Sequence, residues 1–179
     1  GRITASGTLP IGVVYTLTYP AEPLTALRLS LFPDSDDPTK WPERGAVLSK
    51  IEVTLVAADG QRTAVQLKEL LADSIGGPFD PQDSLADSDG GFGDYPVLRG
   101  PHWAVIVLEQ PLAAPAGGKL DGAKLEVVLR QKAASNSGFQ ACTLRNFTLA
   151  RSADPRWTAL VQSAERQQAW QKLRQDRDA

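Results

Sequence analysis

Residues 90–109, GGFGDYPVLRGPHWAVIVLE, join a glycine-rich, aromatic loop to an apolar run at 102–109. The run contains His102, the only histidine of the chain, followed by Trp103. Both of its alternating sets of side chains are apolar, which is typical of a strand covered on both faces. This stretch therefore predicts a central strand, with Trp103 in the core, entered from a long polar loop.

Short runs of alternating apolar residues recur on both sides of this stretch. In 24–32, Leu27, Leu29 and Leu31 fall on one face, whereas Arg28 and Ser30 fall on the other. Further strands are predicted at 13–19, 47–57, 63–67, 124–131 and 142–150. About eight short strands separated by turns predict an all-β domain, a β-sandwich of jelly-roll type with loops clustered at its ends.

The connections between these runs carry their own signals. Asp59-Gly60 between two apolar runs predicts a hairpin turn. Residues 67–74, LKELLADS, are compatible with one or two helical turns. Residues 76–100 form a connection rich in Gly, Asp, Pro and Ser, and loops of this length are usually functional or disordered.

Residues 154–179 differ from the β domain at 1–153 and predict a C-terminal helix that leads towards a following domain. Asp154 is the expected N-cap, with Pro155 at the first helical position. One helical face contains Trp157, Leu160, Val161 and Ala164, and the opposite face contains Trp170 and Leu173. This change of face predicts either a bend or a second half that meets a neighbouring domain.

The composition limits the class of protein. The chain has 179 residues and a net charge of −2, so it lacks the basic excess that nucleic-acid binding requires. No apolar run is long enough to span a bilayer, so we expect no membrane insertion. Cys142 is the only cysteine, which excludes an internal disulfide and a C-x-x-C-H haem site within this chain. The chain begins at Gly1 and lacks methionine, which indicates a processed or excised product.

Common enzyme motifs are absent, and we predict a non-catalytic domain. A single histidine excludes H-E-x-x-H, and neither G-x-S-x-G nor a phosphate-binding glycine motif occurs. His102 is expected at a strand edge, hydrogen-bonded to a loop backbone, although it could act as a base. A small hydrolase that uses a pair of carboxylates stays open as an alternative.

Carboxylates are concentrated in two loops, with Asp34, Asp36 and Asp37 in the first. The second contains Asp83, Asp87, Asp89 and Asp94. Alternating carboxylates followed by Gly90 resemble the start of a calcium loop, so Asp87, Asp89 and Asp94 are candidate calcium ligands. Leu98 occupies the place of the final EF-hand acid, and a solvated acidic loop is the alternative.

Aromatic residues lie close to the same loops. Flat aromatic rings match the apolar faces of sugars, and polar side chains around them bind the hydroxyls. Trp41, Phe92 and Tyr95 are therefore candidate platforms for a carbohydrate. Arg99 and His102 are candidate hydrogen-bonding partners at the same site.

Four blocks of sequence resemble one protein family. They are LTALRLSLFPDSDDP, GAVLSKIEVTLVAADG, GPHWAVIVLEQPLAAPAGGKLDGAKLEVVLRQ and CTLRNFTLARSADP. These blocks, between about residues 20 and 154, are similar to the β-sandwich region of large exported planctomycete proteins. Those proteins also contain a planctomycete-type cytochrome c domain and the domains of unknown function DUF1549 and DUF1553. The family has Glu where this chain has Lys50, and GRFRLS where it has RNFTLA.

The resemblance implies a galactose-binding-like jelly roll within an exported bacterial protein of the periplasm or cell surface. It implies a polysaccharide partner, with haem confined to other domains. The alternative function is a structural or docking domain that packs against the neighbouring cytochrome or DUF domains and binds no ligand of its own.

Overall fold

The computed structural model describes residues 1–7, 12–40, 43–74, 79–86, 88, 90–93, 97–113, 120–131, 143–166, 168–169 and 172. Within them, the strands are β1 (Ile3–Thr4), β2 (Val14–Pro20), β3 (Leu24–Leu31), β4 (Glu43–Arg44), β5 (Lys50–Val56), β6 (Arg62–Ala64), β7 (Leu67–Ala72), β8 (Val97–Leu98), β9 (His102–Leu112), β10 (Lys124–Arg130) and β11 (Asn146–Ser152). The 3₁₀ helices are Pro38–Lys40 and Pro81–Leu85, and the α-helix α1 is Arg156–Gln162.

Most of the strands belong to two antiparallel sheets. The five-stranded sheet has the order β1-β11-β3-β9-β7, and the four-stranded sheet has the order β2-β10-β5-β6. The strands β4 and β8 form a separate two-residue pair. Apolar side chains from both sheets pack into one core. The predicted all-β class and two-sheet sandwich are therefore confirmed.

The period-two pattern of β3 predicts correctly which of its side chains are buried. Leu27, Leu29 and Leu31 are buried in the main core, whereas Arg28 is exposed. Burial of one leucine side chain stabilises the fold by about 2 kcal/mol relative to leaving it exposed. The predicted turn between β5 and β6 is also present, and Gly60 adopts a φ of +89° there.

Strand β9 lies between β3 and β7 and is covered on both faces, as predicted. Ala104, Ile106 and Leu108 point into the main core, whereas Val105 and Val107 belong to a second apolar cluster. This second cluster also contains Val161 of α1. The predicted core residue Trp103 packs against it, half-buried, with the Arg28 guanidinium 4.9 Å from the ring centre.

Residues 67–72 form strand β7, which corrects the prediction of helical turns. Their antiparallel pairing with β9 outweighs the local helix propensity of the sequence. The outer edge of β7 is closed by the side-chain amide of Gln82. It donates to the Leu70 carbonyl at 2.5 Å and accepts from the Leu70 N–H at 3.1 Å.

The helix α1 lies on the five-stranded sheet of its own domain. It ends before Ser163, whose ψ of 123° is not helical. Val161 is buried and Trp157 half-buried against the sheet, whereas Leu160 is 40% exposed. Trp170 and Leu173 lie outside the described residues. No helix among the described residues is long and apolar enough to cross a membrane.

The strand registers place the long loops at one end of the sandwich, here called the loop end. Leu31 at the end of β3 pairs with His102 at the start of β9, and Arg130 at the end of β10 pairs with Lys50 at the start of β5. The Tyr15 hydroxyl of β2 donates to the Leu144 carbonyl at 2.7 Å, which connects the two sheets there. Connections 32–49, 73–101 and 131–145 therefore all start from the loop end.

Candidate ligand cleft

Two glycines hold residues 90–93 against residues 46–48. The Leu48 N–H donates to the Phe92 carbonyl at 2.8 Å in an isolated antiparallel bridge. A Cβ at Gly91 would lie 1.9 Å from the Leu48 carbonyl oxygen, and one at Gly93 would lie 1.8 Å from the Ala46 carbonyl oxygen. Both residues have positive φ values, which glycine adopts readily. The GGFG sequence is thus a consequence of close backbone packing.

Ser84 connects this bridge to the 3₁₀ helix Pro81–Leu85. Its buried hydroxyl donates to the Leu48 carbonyl at 2.6 Å and accepts from the Phe92 N–H at 2.7 Å. Phe92 itself is 2% exposed and belongs to the main core. This corrects its prediction as a ligand platform, because the bridge turns its ring inward and leaves no face for a sugar.

A cleft of about 440 Å³ lies at the loop end, between the connection after β3 and the start of β11. Its apolar lining consists of Leu31, Phe32, Ala46, Leu98 and Leu144. Its polar lining consists of Asp34, Ser35, Lys40, Thr143, Arg145 and Asn146. The volume falls within the roughly 300–1,000 Å³ of small-ligand pockets, and such sites combine apolar surface with a few placed polar groups.

Asn146 fixes the polar side of the cleft. This residue is 7% exposed, and its amide nitrogen donates to the Asp34 carboxylate at 2.5 Å. Its amide oxygen accepts from the Thr4 hydroxyl at 2.8 Å. Arg145 places a guanidinium nitrogen 3.9 Å from the same Asp34 carboxylate. Asp34 is therefore held in position, and a second cleft of about 460 Å³ shares it with Arg145 and Asn146.

The N-terminal residues hold the connection after β3 in place. The Arg2 guanidinium donates to the Pro33 carbonyl at 2.9 Å and lies 4.7 Å from the centre of the Phe32 ring. A guanidinium over an aromatic face is attracted by the ring quadrupole. The rim of the cleft is thus held in place by contacts within the protein.

Asp37 belongs to the first acidic loop but is occupied locally. The hydroxyl of Thr39 donates to its carboxylate at 2.7 Å and the Thr39 amide at 3.0 Å. These two hydrogen bonds hold the pKa of the Asp37 carboxyl below its usual value. Asp37 therefore begins the 3₁₀ turn Pro38–Lys40, whose last residue, Lys40, lines the cleft.

His102 lies beside Asp73 and Ser74, which directly follow β7. Its Nδ1 is 2.8 Å from the Ser74 hydroxyl and 3.3 Å from an Asp73 carboxylate oxygen. Both groups meet the same ring nitrogen. A catalytic serine and its orienting acid would instead contact opposite nitrogens of the ring. The arrangement thus links β7 to β9 through two side chains.

The remaining predicted site residues lie partly within and partly outside the described residues. Arg99 is exposed and follows Leu98, which lines the cleft. Outside the described residues lie the platform candidates Trp41 and Tyr95 and the calcium candidates Asp87, Asp89 and Asp94. Within the described part of the chain, no group of three or more His, Cys, Asp or Glu side chains could hold a metal ion.

Sequence reasoning missed Arg145 and Asn146 as site residues. Both fall in a predicted strand, where alternation explains the apolar Phe147 but assigns no role to an asparagine beside it. Their contact with Asp34 joins residues far apart in the chain, and period-two patterning contains no such information.

The chain matches no known protein family, curated protein or solved structure.

Proposed function

We propose that the domain is a non-catalytic carbohydrate-binding module of a larger exported bacterial protein. The supporting observation is the cleft in which Asp34, Arg145 and Asn146 converge beside apolar surface. Carboxylate, guanidinium and amide groups hydrogen-bond sugar hydroxyls, and the apolar lining matches the C–H faces of the rings. Because these groups are held by the protein itself, little ordering is required on binding.

The strand order supports a jelly-roll form of this sandwich. With the edge strand β7 and the β4–β8 pair set aside, the sheets have the orders β1-β11-β3-β9 and β2-β10-β5-β6. In this set the first strand lies beside the last, and the second lies beside the second to last. Two nested Greek keys produce this arrangement, and lectin domains are among the proteins that use it.

Two of the sequence-based candidates are adjacent in the sequence to residues that line the cleft. Lys40 lines the cleft and directly precedes Trp41, and Leu98 lines it and directly precedes Arg99. His102 pairs with the cleft residue Leu31. A calcium ion bound by Asp87, Asp89 and Asp94 is a separate part of the proposal and rests on the sequence pattern alone.

A glycan array followed by calorimetry on the best ligand tests this function. Arg145→Ala is expected to weaken binding about tenfold, since it removes a charged hydrogen-bond donor. Trp41→Ala tests the proposed platform. Lys124→Ala, at the opposite end of the sandwich, is the matched control and should bind normally. No binding to any glycan, or equal losses in Arg145→Ala and the control, would contradict the proposal.

Docking against neighbouring cytochrome or DUF domains is the second candidate. Leu160, 40% exposed on α1, is the observation that favours it. In that case the domain would bind no glycan but would bind the neighbouring domains when these are expressed as a separate chain. Leu160→Glu would then weaken that association, whereas Arg145→Ala would not.

A further inference from the structure

Strand β2 forms one edge of the four-stranded sheet. Its strand neighbour among the described residues is β10. The Gln131 N–H donates to the Val13 carbonyl at 3.1 Å, and the Ala21 N–H donates to the Ala123 carbonyl at 2.9 Å. Hydrogen-bonded pairs occur at every second residue of an antiparallel ladder. The odd-numbered residues of β2 therefore bond to β10, and the even-numbered residues direct their backbone groups away from it.

The outward-directed residues are Val14, Thr16 and Thr18, and their side chains are exposed and uncharged. Val14 is 47% exposed, an unusual exposure for a large apolar residue of this protein. Natural edge strands are usually protected by charges, bulges or proline. Pro20 protects only the end of β2, where it lacks an N–H and its carbonyl accepts from Arg151 at 3.0 Å.

The edge of the other sheet shows the contrast. There, β7 is closed by Gln82, whose side-chain amide occupies both backbone groups of Leu70. No such side chain covers Thr16 or Thr18 within the part of the chain that the structure describes. A side chain thus occupies outward backbone groups at the edge of β7, whereas those of β2 are, among the described residues, open to pairing with a further strand.

We propose that β2 pairs with β2 of a second copy of this chain, antiparallel and about a two-fold axis at Thr16. In this register, Thr16 faces Thr16 of the second copy, and Val14 faces Thr18 of the second copy. Every outward N–H and C=O group of these three residues then finds a partner. A register centred on Leu17 would instead place Val14 opposite Pro20, which has no N–H to donate.

A second copy fits this edge because the edge is self-complementary. Symmetric pairs present the same surface twice, and like charges directly opposite each other would oppose such a pair. No charged side chain lies among residues 14–20. The product is a continuous sheet through both copies, with the two ligand clefts at opposite ends of the pair.

Sedimentation equilibrium of the full chain, from micromolar to millimolar concentration, tests this pairing. Thr16→Pro removes an outward N–H without touching the bonds to β10, and it should weaken dimerisation by at least about tenfold. The matched control is Ala64→Pro on β6. Val65 donates to Val53 of β5, so the Ala64 N–H also points outward, but at the other edge. A monomer throughout, or equal losses in both variants, would overturn the proposal.

Cross-linking tests the register without weakening the pair. In a Cys142→Ser background, Thr16→Cys should form a disulfide dimer under mild oxidation, since facing Cα atoms lie about 5.5 Å apart. Thr18→Cys is the control, because in this register residue 18 of one copy lies several positions along the strands from residue 18 of the second copy. Efficient cross-linking of Thr18→Cys, or none of Thr16→Cys in a folded protein, would overturn the register.

Discussion

Gly91 approaches the backbone of Leu48 so closely that a Cβ on it would lie 1.9 Å from the Leu48 carbonyl oxygen. The same contact aligns Phe92 with Leu48 and brings the Ser84 hydroxyl between them. The connection between β7 and β9 is therefore attached to the core at Phe92.

Gly91→Ala is expected to destabilise the domain by at least about 3 kcal/mol, because the methyl group meets a backbone oxygen at a strained φ. Gly60→Ala is the matched control. Gly60 also has positive φ but has open space around it, so its cost should be only about 1 kcal/mol. Urea unfolding of both variants measures the difference, and equal costs would contradict the packing at Gly91.

Gln82→Ala should open the outer edge of β7. It removes two hydrogen bonds to Leu70, and we expect a loss of about 1–3 kcal/mol. Hydrogen exchange should accelerate at the Leu70 amide before it does so at the amides of β3. The exposed Gln66 provides the control, since Gln66→Ala should change stability by less than about 0.5 kcal/mol. Unchanged exchange at Leu70 would refute the role of Gln82.

Stability should decrease at acid pH partly through Glu52. The Arg130 guanidinium donates to its carboxylate at 2.6 Å, and this hydrogen bond lowers the pKa of Glu52 below its usual 4.5. A carboxyl with a lowered pKa in the folded state stabilises the fold above its unfolded pKa and loses that effect as pH falls through the folded value. In Glu52→Gln, the melting temperature should therefore decline less steeply below pH 4.5. Identical slopes in both proteins would contradict this prediction.

If calcium binds, it should raise the melting temperature, and a chelator should reverse the increase. At a calcium concentration 100 times the Kd, binding adds about 2.7 kcal/mol to the free energy of unfolding. Asp89→Asn should abolish the shift. The control Asp59→Asn, in the β5–β6 turn, should retain it. No shift on addition of calcium would discard the ion.

The sheets could be predicted because each strand carries its own pattern. Leu27, Leu29 and Leu31 alternate with polar neighbours, and the doubly apolar β9 marks a strand covered on both sides. The prediction was wrong at residues 67–72. Their sequence, LKELLA, has high helix propensity, and it forms a strand because it pairs with β9. The identity of that partner is not encoded locally.

The cleft was harder to predict than the strands. Sequence reasoning found the acidic loop of Asp34 but not Asn146, which binds it from a strand more than a hundred residues later. It also predicts Phe92 as a ligand platform, because this aromatic residue lies close to the acidic loops in the sequence. In the structure, Gly91 and Gly93 serve backbone packing, because a Cβ on either residue would overlap a backbone carbonyl oxygen.

The bridge between Leu48 and Phe92 also divides the connection 73–101 into two shorter loops. Each half can then change in length without altering the path of the other, because both are fastened at the same point. Insertions between this point and β8 would alter the surroundings of Leu98 and leave the 3₁₀ helix Pro81–Leu85 in place. The domain thus has a segment beside the cleft that can diversify, or be engineered, while the scaffold stays constant.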